Sequence, residues 1–124
     1  MTAVIATLLQ FGYSLVFLVV GAVGIFCTGW ELRTTYGFDP ATLTDPASFQ
    51  GQYQFLKAVE FGMGLFGLLM RREILSKGVE NLIFQAVVLS GVIARLAAWI
   101  SYGSPKPVFI LIMLLEALTF LFIW

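Results

Sequence analysis

A chain of 124 residues is long enough for one domain, but 60% hydrophobic and 11% charged residues, with a mean hydropathy of +0.95, leave too little polarity to cover a water-facing surface. Seven basic and seven acidic residues cancel, so no excess charge draws the chain towards nucleic acid or acidic substrates. The lack of any histidine removes His-ligated haem, chlorophyll and zinc as well as Ser-His-Asp chemistry, and the single Cys27 cannot form an intrachain disulfide.

The first apolar stretch runs from about Ala3 to Gly29 without one Lys, Arg, Asp or Glu. A membrane span needs ~20 such residues. A secretory leader would carry a basic n-region, a shorter apolar run and a small-residue cleavage site, so the stretch reads as a retained transmembrane helix. The polar piece 30–48 follows, with Glu31, Arg33, Asp39 and Asp45. Its Asp39-Pro40 and Asp45-Pro46 dipeptides predict turns, and Ala41-Thr42-Leu43 a short interfacial turn of helix. Trp30, Tyr36, Phe38, Phe49 and Tyr53 stand where an aromatic belt belongs.

A second helix is predicted over about 52–70, closed by the basic cluster Arg71-Arg72-Glu73 and Lys77. A third covers about 81–102. Pro105-Lys106-Pro107 stops it and starts a fourth over 108–124, short at roughly 25 Å. The expected fold is therefore all-α, an integral membrane four-helix bundle forming a single transmembrane domain. Arg71, Arg72 and Lys77 share a side with both termini, against Arg33 and Lys106 on the other side. The positive-inside rule then puts both termini in the cytoplasm and 30–48 outside, as in a multi-pass protein of a bacterial inner membrane.

Four charges interrupt the apolar helices: Lys57, Glu60, Arg95 and Glu116. Ionisable groups at membrane depth cost ~2.5–3.5 kcal/mol each on insertion scales, so they face the protein interior and find partners. Lys57 and Glu60, three residues apart, share a helix face. At 1.5 Å per residue, Glu60 lies about 15 Å and Lys57 about 20 Å from the cytoplasmic end. Arg95 comes out level with Lys57, and Glu116 level with Glu60. Two cations thus sit nearer the outside and two carboxylates near the midplane. As a structural device they are interhelical ion pairs that fix register, and removal of one partner strands the other. As a functional device they are a polar pocket for an ion, a quinone, a lipid headgroup or a small solute.

Other polar groups, Gln10, Tyr13, Ser14, Gln85, Ser90 and Tyr102, predict interhelical hydrogen bonds worth ~0.6 kcal/mol each. Gly62-Met63-Gly64-Leu65-Phe66-Gly67 spells a dinucleotide fingerprint but lies inside an apolar helix rather than after a strand, so it predicts close helix contact instead. Gly12, Gly21, Gly24 and the pair Ala58/Gly62 read the same way. Abundant phenylalanine fits lipid-facing or bundle-filling surfaces. No metal-ligand set and no cofactor motif is present, so neither a metal nor a cofactor is expected.

From the second helix onward, Lys57, Gly62, Gly64, Gly67, Arg95, Gly103-Ser104-Pro105 and Glu116 make the chain resemble a family of small, uncharacterised bacterial membrane proteins. That family is a domain of unknown function, and it looks distantly related to the DoxX-like four-helix proteins. The resemblance covers roughly the last 70 residues and departs from the expected pattern at Lys57 and Glu60. It implies a fold and no activity.

Three functions compete. A non-catalytic accessory subunit of a larger bioenergetic membrane complex fits the short chain and its Gly/Ala-rich and Phe-rich helix faces, which would meet other membrane subunits and the lipid bilayer. A stand-alone binding or transport protein would use Lys57, Glu60, Arg95 and Glu116. A membrane enzyme would have only these groups and tyrosines for acid–base work, and no motif supports it.

Overall fold

The computed structural model describes residues 1–124 and is all-α, with no strand. Its helices are α1 (Thr2–Phe26), α2 (Thr28–Glu31), α3 (Pro46–Leu69), α4 (Arg71–Leu75), α5 (Val79–Tyr102) and α6 (Pro107–Ile123). A π-helical turn, Leu32–Tyr36, follows α2, and a 3-10 turn spans Pro40–Thr42. Helices α1 and α5 are long and apolar enough to cross a membrane, and only 22% and 17% of their most apolar windows are buried. Core helices of a water-soluble protein would be mostly buried, so these helices present their apolar side outward. Helix α6 is apolar but has 17 residues. Helix α3 has 24 residues and carries Lys57 and Glu60.

The helix boundaries follow local chemistry. Helix α3 begins at Pro46 rather than near Gln52 because the Asp45-Pro46 dipeptide caps a helix. The Asp45 carboxylate accepts a hydrogen bond from the Ser48 N–H at 3.1 Å, and Pro46 fills the first helical position. The Ser48 hydroxyl and N–H beside it hold the Asp45 carboxyl below the usual carboxylate range. The proline pair works as expected. Gly103, at φ 93°, ends α5, and Pro107 opens α6.

The first helix does not simply give way to a loop. Cys27 breaks the helical dihedrals, yet its N–H donates to Val23 and its carbonyl accepts from Glu31, so helical hydrogen bonding carries through into α2 and the π turn. Gly37, in the left-handed region at φ 67°, closes that turn. Residues 30–36, expected in the polar loop, are therefore helical.

Along the chain the residues fall into two compact units. One holds Met1–Tyr13 and Gly67–Trp124, and the other holds Ser14–Phe66. Helices α1 and α3 each contribute to both units.

In the Ser14–Phe66 unit, α1 and α3 meet through glycines. A Cβ on Gly21 would collide with the Phe61 backbone, and one on Gly64 would collide with the backbone of Leu18. Gly12 and Gly62, by contrast, have nothing near where a Cβ would be. The close approach predicted for Gly12 and Gly62 is corrected accordingly. Gly64 carries it on α3, and Gly21 and Gly24 carry it on α1. Alanine at Gly64 must push two backbones apart and is expected to lower the thermal midpoint in detergent. Alanine at Gly62 removes only glycine's conformational freedom and is expected to raise stability by about 0.5–1 kcal/mol. Equal shifts from the two variants would show that the helices are not in backbone contact.

In the other unit, α5 packs on α6 and α4 on α5. Its interior is stitched by side-chain amides. Gln10 donates to the Gly67 carbonyl at 2.6 Å, Asn81 to the Ile74 carbonyl at 2.7 Å, and Gln85 to the Phe120 carbonyl at 3.3 Å. These are the hydrogen bonds expected of Gln10 and Gln85. Ser90 instead bonds the Val87 carbonyl of its own helix, and Tyr102 is exposed.

Candidate functional site

Lys57 is the centre of one network. Helix α3 places its side chain in the Ser14–Phe66 unit, 6% exposed, with Nζ 2.9 Å from Glu60 Oε2 and 3.0 Å from Glu31 Oε1. Glu60 lies one turn along the same helix and is 30% exposed, while Glu31 arrives from α2 and is 7% exposed. Room for the lysine comes from Gly24. A Cβ there would strike Lys57 Cγ and Cδ and would stand 2.8 Å from Glu31 Oε2. The turn that presents Glu31 is itself tied down. The Thr28 hydroxyl donates to the Gly24 carbonyl at 2.6 Å, and the Gln54 amide donates to Thr28 Oγ1 at 3.2 Å and to the Ile25 carbonyl at 3.3 Å.

Two carboxylates and one ammonium leave this network with a formal charge of −1. Glu31 Oε2 is buried and makes no hydrogen bond. Tyr53, one turn before Lys57, touches the network twice. Its ring centre is 5.5 Å from Lys57 Nζ, a cation–π contact, and its hydroxyl lies beside Glu31 and Tyr36.

Tyr53 also belongs to an open cleft of about 380 Å³ lined by Leu32, Tyr36, Phe38, Phe49 and Tyr53, almost wholly apolar. The rings form a chain. Tyr36 meets Tyr53 edge-on at 6.2 Å, Phe49 stacks on Tyr53 at 6.2 Å, and Phe38 leans on Phe49 at 5.5 Å. The π-helical turn supplies Leu32 and Tyr36. The left-handed Gly37 then folds Phe38 back so that its N–H donates to the Leu32 carbonyl at 3.0 Å. The exposed Arg33–Asp39 pair at 3.5 Å adds little.

Arg95 and Glu116 form the second network, inside the other unit. Arg95 Nε donates to Glu116 Oε2 at 3.0 Å, and Nη2 reaches Oε1 at 3.5 Å. Glu116 is 2% exposed and Arg95 29%. Gly91 makes space for the carboxylate, since a Cβ there would stand 3.1 Å from Oε1.

The four predicted residues are therefore all paired, as two networks, each complete within its own unit. Lys57 finds Glu60, and Arg95 finds Glu116. Glu31 was missed, because it follows Gly29 in a polar stretch that reads as loop. The signal was present nonetheless. Gly24, Thr28 and Glu31 follow one another at four- and three-residue spacing, the repeat of one helix face. The buried set of the whole chain is unusual in the same way. It has nine polar or charged residues against eight hydrophobic ones, while thirty large hydrophobic residues are exposed.

The family model for the domain of unknown function DUF4345 matches residues 5–124, and the chain belongs to that family. The match extends the resemblance first drawn from the last 70 residues to nearly the whole chain. Neither curated proteins nor solved structures give a match.

Proposed function

We propose that this DUF4345 protein is a four-helix, multi-pass integral membrane protein that works by association rather than chemistry, as an accessory subunit of a larger membrane assembly. The observation that supports this most is the inverted distribution of polarity. Polar and charged side chains make up about half of the buried set, and thirty large apolar side chains face outward, among them Phe11, Phe55, Ile93, Leu111 and Leu121 on the long helices. In water such a surface would aggregate; against lipid and other apolar helices it is at home. Lys57 pairs with Glu31 across α3 and α2, and Arg95 with Glu116 across α5 and α6, which suits a role in fixing helices against one another, while Glu60 pairs with Lys57 along α3.

Both termini on the cytoplasmic side of a bacterial inner membrane and residues 30–48 outside complete the proposal. Cys27 provides the test of orientation, because it is the only cysteine, is exposed, and lies at the end of α1 that leads into 30–48. A membrane-impermeant maleimide is expected to label it in intact cells, and labelling only after lysis would reverse the topology. The association itself is tested by native mass spectrometry of the mildly solubilised protein. A large assembly with other subunits is expected. A monomer or homodimer would overturn the subunit reading in favour of a stand-alone binder.

A further inference from the structure

We infer that the aromatic cleft of Leu32, Tyr36, Phe38, Phe49 and Tyr53 is a binding site for the trimethylammonium headgroup of a choline lipid, whether the chain works alone or as a subunit. Three observations converge on this chemistry.

The first is the lining. Four aromatic rings and a leucine face the cleft, with almost no polar surface among them. A primary ammonium, a phosphate or a sugar placed there would lose its hydrogen bonds to water and gain none. A quaternary ammonium has no N–H to satisfy, and ring faces attract it through their quadrupoles. The second is charge. The Glu31–Lys57–Glu60 network carries one carboxylate more than it has cations, and Tyr53 is shared between the network and the cleft. Glu31 is more than nine-tenths buried and pairs with Lys57 through Oε1, while its Oε2 makes no hydrogen bond, so the excess negative charge stays within the network. A cation held one ring away from that network offsets the excess without entering it. The third is the surrounding surface. Phe49, Phe55, Leu56 and Trp30 are exposed around the same stretch of chain. Apolar side chains of this kind suit acyl chains, which favours a lipid over a free solute.

The cleft is large enough. At about 380 Å³ it accommodates a trimethylammonium group with its two-carbon arm, leaving the phosphate at the open mouth.

The experiment is native mass spectrometry of the full chain, purified in a maltoside detergent and offered equal amounts of phosphatidylcholine, phosphatidylethanolamine and phosphatidylglycerol. Phosphatidylcholine is expected to be retained preferentially. F38L and F49L keep the apolar volume and remove one ring face each, on exposed or half-exposed residues that do not hold the fold. Each is expected to weaken that retention about three- to fivefold, and the double variant about tenfold or more. E31Q, which brings the network to zero charge, is expected to weaken it as well. Tetramethylammonium chloride is expected to compete, whereas ammonium chloride at the same ionic strength is not. Equal retention of the three lipids, or a choline preference untouched by F38L/F49L, would overturn the assignment. Tetramethylammonium binding without any lipid preference would overturn the lipid as its source.

Discussion

Lys57→Met is expected to be the most damaging single substitution in the Ser14–Phe66 half of the chain. It leaves Glu31 and Glu60 facing each other with no cation between them, and Glu31 is 7% exposed. Breaking a buried ion pair by removing one partner costs ~3–5 kcal/mol, because the surviving charge cannot return to water. The loss should appear as a large fall in thermal midpoint, or as failure to accumulate in the membrane. Adding Glu31→Gln removes the stranded charge and should recover much of the loss, since Glu60 is partly exposed and can be solvated. A single variant that melts like the parent would mean that the triad does not hold α2 to α3.

The second large effect is expected at Glu116. Arg95→Met strands the Glu116 carboxylate, 2% exposed, at a cost again on the order of 3–5 kcal/mol, whereas Glu116→Leu leaves an Arg95 that is 29% exposed and can be solvated in part. Glu116→Gln keeps an acceptor for the Arg95 guanidinium and should cost less. The informative variant is Arg95→Met combined with Glu116→Leu. Replacing both members of a buried pair by apolar groups of similar size is often neutral or stabilising, so the double variant should melt near the parent. That outcome makes the pair a lock between α5 and α6. A double variant that folds but loses association with its native partners would show that the pair serves recognition as well.

Helices α1 and α5 were legible by length and hydropathy and α6 by the prolines before it, and the charges within the apolar runs were legible because an ionisable residue there stands out. Pairing was partly legible. Lys57 and Glu60 are neighbours on one face by spacing, and the depth count put Arg95 within about a turn of Glu116. Three things were not legible. Glu31 hid behind Gly29, because a polar, glycine-containing stretch looks like loop when read by composition, although the helical spacing from Gly24 continues through it. Asp45-Pro46 carries both a turn signal and a helix-start signal, and only the Ser48 N–H tells which applies. Among Gly62, Gly64 and Gly67 the sequence cannot say which faces α1, because that depends on the rotation of α3 about its own axis.

The division of the chain has a consequence for how the protein is made. The Ser14–Phe66 unit is an insertion between the two parts of the other. During vectorial synthesis all three members of the Glu31–Lys57–Glu60 network are made before any residue of α5. Arg95 waits for Glu116, eight residues from the C-terminal Trp124. The residues of the first network are therefore all made before either residue of the second, whose two members are 21 residues apart. A product truncated before Glu116 would keep Lys57 paired with Glu31 and Glu60 and leave the Arg95 guanidinium without its carboxylate. In the membrane protein proposed above, that lone cation is a flag by which a quality-control protease can tell an unfinished chain from a finished one.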